Sequence, residues 1–307
     1  MLQCYSYCVT SYCVREVHVR VGHYLAKSLL SKGVDESLLS GSPPPLFPPC
    51  GVHVPADQLN FVGMNRSPLP LSAVGTPTLA TLTTCDAFIY LVRHGETTGN
   101  RDKIRQGQGP DFPLTDKGVL GALVAGEALK DVPFDAVYSS DLGRAVRTCE
   151  LIVSKSRHVS SSRISLNRSL REINFGIREG LHIDTTRDQA KAIIAESQGI
   201  SPEEVDDHAE TDEELFRRHL HVLETIRDSA TRPQLRVLCV THGGFIRSFI
   251  RHLLPGIADQ KIENCSFTVV RVKWNKDERF LSLEPAYYNY IEHLLNPELH
   301  AFNEPVF

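Results

Sequence analysis

A chain of 307 residues that is 41% hydrophobic and 23% charged has a globular composition, with length for one large domain or two small ones; collagen-like and wholly disordered chains are excluded. A formal net charge of -4 argues against a surface built for nucleic acid, because neutralising a phosphate backbone calls for excess Lys and Arg. No stretch approaches the roughly 18 apolar residues of a membrane span, and the eight cysteines are too scattered for a disulfide scaffold, so the expectation is a soluble, cytoplasmic protein.

Residues 1–84 hold nine of the eighteen prolines, including the run Pro43-Pro44-Pro45-Leu46-Phe47-Pro48-Pro49, and read as an N-terminal extension or linker. Their net charge is +1, which leaves -5 on residues 85–307, the expected folded domain. Within the first 34 residues, Cys4, Cys8, Cys13, His18 and His23 follow at gaps of four or five. Those gaps do not match the paired-ligand spacings of the usual zinc modules, so an unstructured or loosely helical tail is favoured over a zinc site. Arg15, Arg20, Lys27 and Lys32 outnumber Glu16, which leaves a mitochondrial targeting segment as the alternative.

From Asp86 the pattern alternates. Phe88 to Val92 is a continuous apolar run of the kind expected for a strand covered on both faces. A helix is expected after Thr115, whose hydroxyl can cap it, with Leu120, Leu123 and Val124 on the buried side. Ala136 to Tyr138 reads as the next strand. Leu142, Ala145, Val146, Cys149, Ile152 and Val153 then mark one face of a helix. Thr211 and Glu214 form a capping box ahead of Leu215, Leu220, Leu223 and Ile226. Val237 to Val240 repeats the strand pattern, and Phe245, Ile246, Phe249, Ile250, Leu253 and Leu254 line the following helix. Phe267 to Trp274 and Arg279 to Leu283 close the series as a late strand pair, at one edge of the sheet. The order predicts a three-layer α/β/α sandwich with a mainly parallel central sheet.

Ligands of open α/β sheets bind beyond the carboxyl ends of strands. Two predicted strands end in histidine followed by glycine, at His94-Gly95 and His242-Gly243, and a third leads to Arg144 at a helix start, a position suited to an anion. His182, His208, His219, His221 and His252 read as surface or helix-face residues, and Cys149 and Cys239 as core.

The segments Arg93-His94-Gly95-Glu96-Thr97 with Asn100, Ser140-Asp141-Leu142 with Arg144-Ala145, Glu172 ahead of Phe175-Gly176 and Glu179-Gly180, and Thr241-His242-Gly243 resemble, together and in this order, the histidine phosphatase (phosphoglycerate mutase-like) superfamily. The similarity covers roughly residues 86–295. Within it, Ile104 to Gly109 with Pro113-Leu114, and the Leu170-Arg171-Glu172 context, look most like the TIGAR-type fructose-2,6-bisphosphatases; Asn289 with His293-Leu294 adds modest support. The chain departs from that type by lacking a long insertion before Thr241 and by its added N-terminal residues.

The resemblance implies a covalent phosphohistidine at His94, no metal and no other cofactor. Physically, a phosphate ester repels an approaching nucleophile unless fixed cations neutralise it, and Arg93 and Arg144 can each present two parallel N–H donors. Neutral His94 offers one ring nitrogen as nucleophile if the other donates to a fixed acceptor, for which the Gly95 carbonyl is the candidate. His242, read as a cation, would stabilise the transferring group and Asn100 would add a donor. Glu172 matches the acid that protonates the leaving alkoxide, with Glu179 and Glu96 as alternative carboxylates. Substrate contacts are expected from Arg93, Asn100, Gln106, Gly107, Arg144, Glu172, His242 and Gly243. The partner is then a small phosphorylated metabolite, fructose 2,6-bisphosphate or 2,3-bisphosphoglycerate. Lys103, Arg105, Arg178, Arg187 and Lys191 are candidates for its second anionic group. The 70-residue separation of Glu172 and His242 is shorter than in the cofactor-dependent mutases and favours hydrolysis. A mutase, a broad-specificity or protein phosphatase, and a scaffold binding through Pro43–Pro49 are the alternatives.

Overall fold

Thr84–Arg93 forms the central strand β1 of a mixed sheet, and Ala87, Ile89, Tyr90, Leu91 and Val92 are all buried, as a strand covered on both faces requires. The computed structural model describes residues 84–230, 232–254, 256–257, 259–275 and 282–295; the Cys4 to His23 series, Pro43–Pro49 and residues 279–281 lie outside them. In chain order β1 is followed by α1 (Thr98–Arg101), α2 (Asp116–Leu129), β2 (Ala136–Ser139), α3 (Gly143–Val153), β3 (Ile164–Leu166), α4 (Arg187–Gln198), α5 (Asp212–Asp228), β4 (Gln234–Thr241), α6 (Gly243–Leu253), β5 (Phe267–Asn275), β6 (Ser282–Tyr290) and α7 (Glu292–Leu295).

Among the described residues the sheet has six strands in the order β3-β2-β4-β1-β5-β6. The β3-β2-β4-β1 half is parallel, whereas β5 runs antiparallel to β1 and β6 antiparallel to β5. The carboxyl ends of β1, β2 and β4 therefore meet along one edge, which is what gathers the strand-end motifs.

Side chains alternate across a strand, so the sheet builds two cores. On one face Tyr90, Val92, Leu238, Val240, Phe267 and Val269 pack with α2 and α3 through Ala122, Ala125, Leu129, Ala145, Cys149 and Ile152. On the other, Ile89, Leu91, Val237 and Cys239 are fully buried, as are Phe245 and Phe249 of α6 and Leu223 of α5. Each buried Leu, Ile or Phe contributes roughly 1.5–3 kcal/mol relative to exposure, so these two faces dominate the folding energy.

Local signals and structure agree at the caps. Gly118 N donates to Thr115 Oγ1 at 3.0 Å, and Thr211 exchanges both bonds of its box with Glu214. The expected buried side of α2 is corrected at Leu120, which is 62% exposed; Leu123 packs half-buried against the core, Val124 is half-buried, and the fully inward residues are Gly118, Ala122, Ala125, Gly126, Ala128 and Leu129. Close approach to α3 decides this, because a side chain on Gly126 would come within 2.8 Å of the Ile152 carbonyl. The last strand is also displaced from Arg279–Leu283, running from Ser282 through Pro285 to Tyr290. An edge strand with a single neighbour tolerates the proline. Strand β3 and helix α4 had no counterpart in the sequence reading. Among the described residues no helix is long and apolar enough to cross a membrane.

Of the histidines expected at the surface or on helix faces, His219 and His252 lie on buried helix faces, at 0% and 6% exposure, while His182, His208 and His221 are exposed. Ser248 Oγ donates to the Phe245 carbonyl at 2.9 Å, and His219 Nε2 lies 3.2 Å from Ser248 Oγ. His219 Nδ1 faces His252 Nδ1 at 3.2 Å, and His252 Nε2 faces Asp212 Oδ1 at 3.0 Å. Burial holds the pKa of His219 well below its ordinary value and pushes His293 down to about 4. Such groups take up protons more readily when unfolded, so their stabilising contribution is complete above pH 6.5 and is lost as pH falls below it. His293 alone is expected to cost about 2 kcal/mol of stability between pH 7.5 and pH 5. Urea unfolding midpoints at the two pH values check this, and an unchanged midpoint would refute it.

Candidate active site

Arg93 ends β1 and His94 follows it, Ser140 follows β2, and His242 follows β4 as the N-cap of α6. His94 N donates to the Thr241 carbonyl at 2.9 Å, which ties the two strand ends together and sets the imidazole centroids 5.2 Å apart. His94, Arg144 and His242 are all buried. The His94 Nδ1–H donates to the Gly95 carbonyl at 2.7 Å. A carbonyl can only accept, so Nδ1 carries the proton and Nε2 keeps its lone pair. Burial first, then Arg144 and Arg93, hold the His94 pKa well below the usual range, which keeps the ring neutral.

Arg93 donates Nη1 to the Ile262 carbonyl at 2.5 Å, and its buried Nε has no partner among the described residues. Arg144 donates Nη1 to Asp111 Oδ1 at 3.1 Å and Nη2 to the Gly107 carbonyl at 2.6 Å, again leaving a buried Nε. Burial lowers both guanidinium pKa values, and the Glu172 charge opposes that shift at both sites.

His242 departs from the expected cation. Burial, with Arg144, His94 and Arg93 beside it, holds its pKa well below the ordinary value. Its Nε2 lies 2.8 Å from Ser140 Oγ, and its Nδ1 is buried without a partner. Ser140 Oγ accepts from Leu142 N and can also donate its own proton to Nε2; with that donation the neutral ring carries its hydrogen on the buried Nδ1.

The helix start expected to receive an anion is filled from within the chain. Asp111 Oδ2 accepts from Gly143 N at 2.6 Å, so this carboxylate caps α3 and anchors Arg144 together. Glu172 does the same at α6: Oε1 accepts from Ile173 N (2.8 Å) and Phe245 N (2.9 Å), and Oε2 from Gly244 N (3.0 Å). Its backbone is held by Arg218, whose Nη1 donates to the Ser169 and Arg171 carbonyls and whose guanidinium pairs with Glu210. Arg171 adds a bidentate pair with Asp141 at 2.6 Å.

The alternative carboxylates have other duties. Glu96 pairs with Lys117 and accepts from Thr115 Oγ1, outside the histidine pair. Glu179 accepts from Gln108 N, Gly109 N and Phe175 N, stitching residues 107–109 to the segment after Glu172. Gly107 has φ +58°, and a Cβ there would lie 1.9 Å from Glu179 Oε1, so the loop needs glycine. Gln106 Oε1 accepts from Thr97 Oγ1, and Asn100 Oδ1 accepts from Thr97 N and Asn264 Nδ2. The Asn100 oxygen is thus committed to the α1 cap, leaving its amide nitrogen as the end that can donate. Gly243 abuts Arg93, whose Nε would be 3.0 Å from an added Cβ.

The profile of the histidine phosphatase superfamily (branch 1) matches residues 89–283, more than half of the chain. The chain belongs to the histidine phosphatase superfamily. This histidine phosphatase is 35% identical over 193 residues to fructose-2,6-bisphosphatase TIGAR B of Danio rerio, covering 55% of the chain and 75% of that protein. It is 33% identical over 193 residues to the probable phosphoglycerate mutase GpmB of Escherichia coli, covering 59% of the chain and 83% of the relative. A solved phosphoglycerate mutase from Bacillus anthracis superposes with a TM-score of 0.55 at 27% identity, over 69% of the chain and 97% of that structure.

In this histidine phosphatase the structure adds Asp111, Ser140, Asn264 and Arg218 to the sequence-read set. Asn264 Nδ2 donates to the His94 carbonyl at 2.9 Å from a distance of 170 residues, which no local pattern reports. Ser140 stood in the second motif without a role, and Asp111 in a Gly-Pro-Asp turn gave no sign of its target.

Proposed function

We propose that this histidine phosphatase hydrolyses a small phosphorylated metabolite, fructose 2,6-bisphosphate or 2,3-bisphosphoglycerate, through a phosphohistidine on His94 and without metal. The observation that carries the reading is the fixed His94 tautomer: Nδ1–H is spent on Gly95, so Nε2 is the nucleophile, with Arg93, Arg144 and His242 around it. Nε2 attacks phosphorus while the bond to the leaving oxygen breaks. Arg93 and Arg144 supply the cationic donors, and the His242 Nδ1–H and the Asn100 amide add neutral ones. Entering the first step as the carboxylic acid, Glu172 gives its proton to the leaving alkoxide from Oε2, which accepts only one backbone bond; the resulting carboxylate then takes a proton from the water that cleaves the N–P bond. Gln106, Gly107 and Gly243 shape the pocket wall.

Phosphate release in the presence of a chelator, compared across fructose 2,6-bisphosphate, fructose 1,6-bisphosphate, 2,3-bisphosphoglycerate, 3-phosphoglycerate and a phosphopeptide, tests the reading. Metal-independent release from one bisphosphate is the expected result. Release from none of them, with isomerisation of 3-phosphoglycerate on a bisphosphate primer, would establish a mutase instead. We also assign residues 1–84 to an extension outside the catalytic domain of residues 85–307, so the same assay on a chain lacking them should agree within about twofold. Scattered cysteines, three of them buried and unpaired, fit a cytoplasmic enzyme.

A further inference from the structure

Five cations near the motifs were candidates for a second anion, and the structure separates them. Arg187 is taken by Asp207 at 2.9 Å. Arg105 and Arg178 instead converge on one ring, with guanidinium carbons 5.0 and 5.9 Å from the Phe175 centroid. Among the described residues neither arginine forms an ion pair with a carboxylate, and each has a buried Nε without a hydrogen-bond partner. Arg105 donates Nη2 to the Ile183 carbonyl.

Two like charges on one phenyl ring repel each other, so this arrangement is completed by an anion shared between them. Their backbones place them beside the proposed phosphoryl site. Arg105 pairs with the opposite segment through Gly180 N and the Leu181 carbonyl, and two residues later Gly107 receives Arg144 Nη2. Arg178 directly precedes Glu179, which holds residues 108 and 109. The pair therefore belongs to the two backbone-paired segments, residues 104–109 and 175–182, the first of which carries the Arg144 contact.

The geometry points to Arg105 and Arg178, stacked on Phe175, as the seat of a second phosphate group on the substrate. This deepens the phosphatase reading and rests on it. Phosphate oxygens match the planar donor forks of two arginines, and a monophosphate ester would leave the seat empty.

Arg105→Gln, Arg178→Gln and the double variant of the full chain are compared on the bisphosphate that the wild type prefers and on p-nitrophenyl phosphate. The double variant is expected to raise KM for the bisphosphate at least tenfold, several times more than for p-nitrophenyl phosphate, with kcat changed less than KM. Each single variant gives an intermediate rise and serves if the double variant does not fold. Equal changes on the two substrates, or none, would overturn the assignment. Calorimetric binding of 2,3-bisphosphoglycerate to the full chain separates this inference from the phosphatase reading. Binding that the double variant weakens tenfold supports the seat even if turnover is absent, whereas binding that it leaves unchanged refutes the seat.

Discussion

His94→Ala is expected to reduce phosphate release by at least about 10⁴-fold and to eliminate the phosphoenzyme, because no other group offers a lone pair at that place in the cation cluster. The variant removes the donor to the Gly95 carbonyl, which costs about 1–2 kcal/mol and leaves the fold intact. Intact-mass analysis after a rapid, acid-free quench measures the covalent intermediate, and circular dichroism checks folding. Phosphate found on any other side chain, or turnover within tenfold of wild type, would remove His94 from its role.

Replacing Glu172 by Gln should separate the two half-reactions. For a substrate with an alkoxide leaving group, turnover falls by about 10²–10⁴-fold, because the amide can neither donate nor accept the transferred proton. p-Nitrophenyl phosphate needs no such proton, so its first step persists and phosphohistidine accumulates for want of a base to activate water. The amide also sets an N–H group against Gly244 N, where the carboxylate accepts, so a stability loss of about 1–3 kcal/mol accompanies the kinetic effect. Equal losses on both leaving groups, without accumulated phosphoenzyme, would assign the proton to another residue.

The electrostatic design explains why the histidines are neutral while the arginines remain cations. Both arginines retain their charge at any relevant pH even with lowered pKa values, whereas an imidazole titrating near 6.5 loses its proton when buried beside them. The helix N-termini are engaged by Asp111 and Glu172, so the proposed phosphoryl group is left to side-chain donors. An incoming phosphate dianion opposes the same pKa shifts at both histidines.

Much of the fold was legible because its signals are short-range. Thr115 and Thr211 cap their helices through bonds spanning three residues, and apolar runs at residues 88–92 and 237–240 announce strands covered on both faces. The Arg93-His94, Ser140 and His242 motifs were legible for the same reason, since each lies within a few residues of a strand end, whereas Glu172 was legible through the family resemblance. The exposed Leu120, the buried His219 and the shifted last strand were not, because exposure depends on which distant surface arrives.

The sequence by itself determined the strand-end histidines, the arginine that opens α3 and the alternation that stacks helices on a sheet, all of them encoded within one turn or one strand. The tertiary structure alone decided that Asp111 would hold Arg144, that Asn264 would reach the His94 carbonyl and that Arg105 and Arg178 would share Phe175. These contacts join residues separated by 33, 170 and up to 70 positions. Pairing at that range is set by sheet order and loop packing, which no local pattern contains.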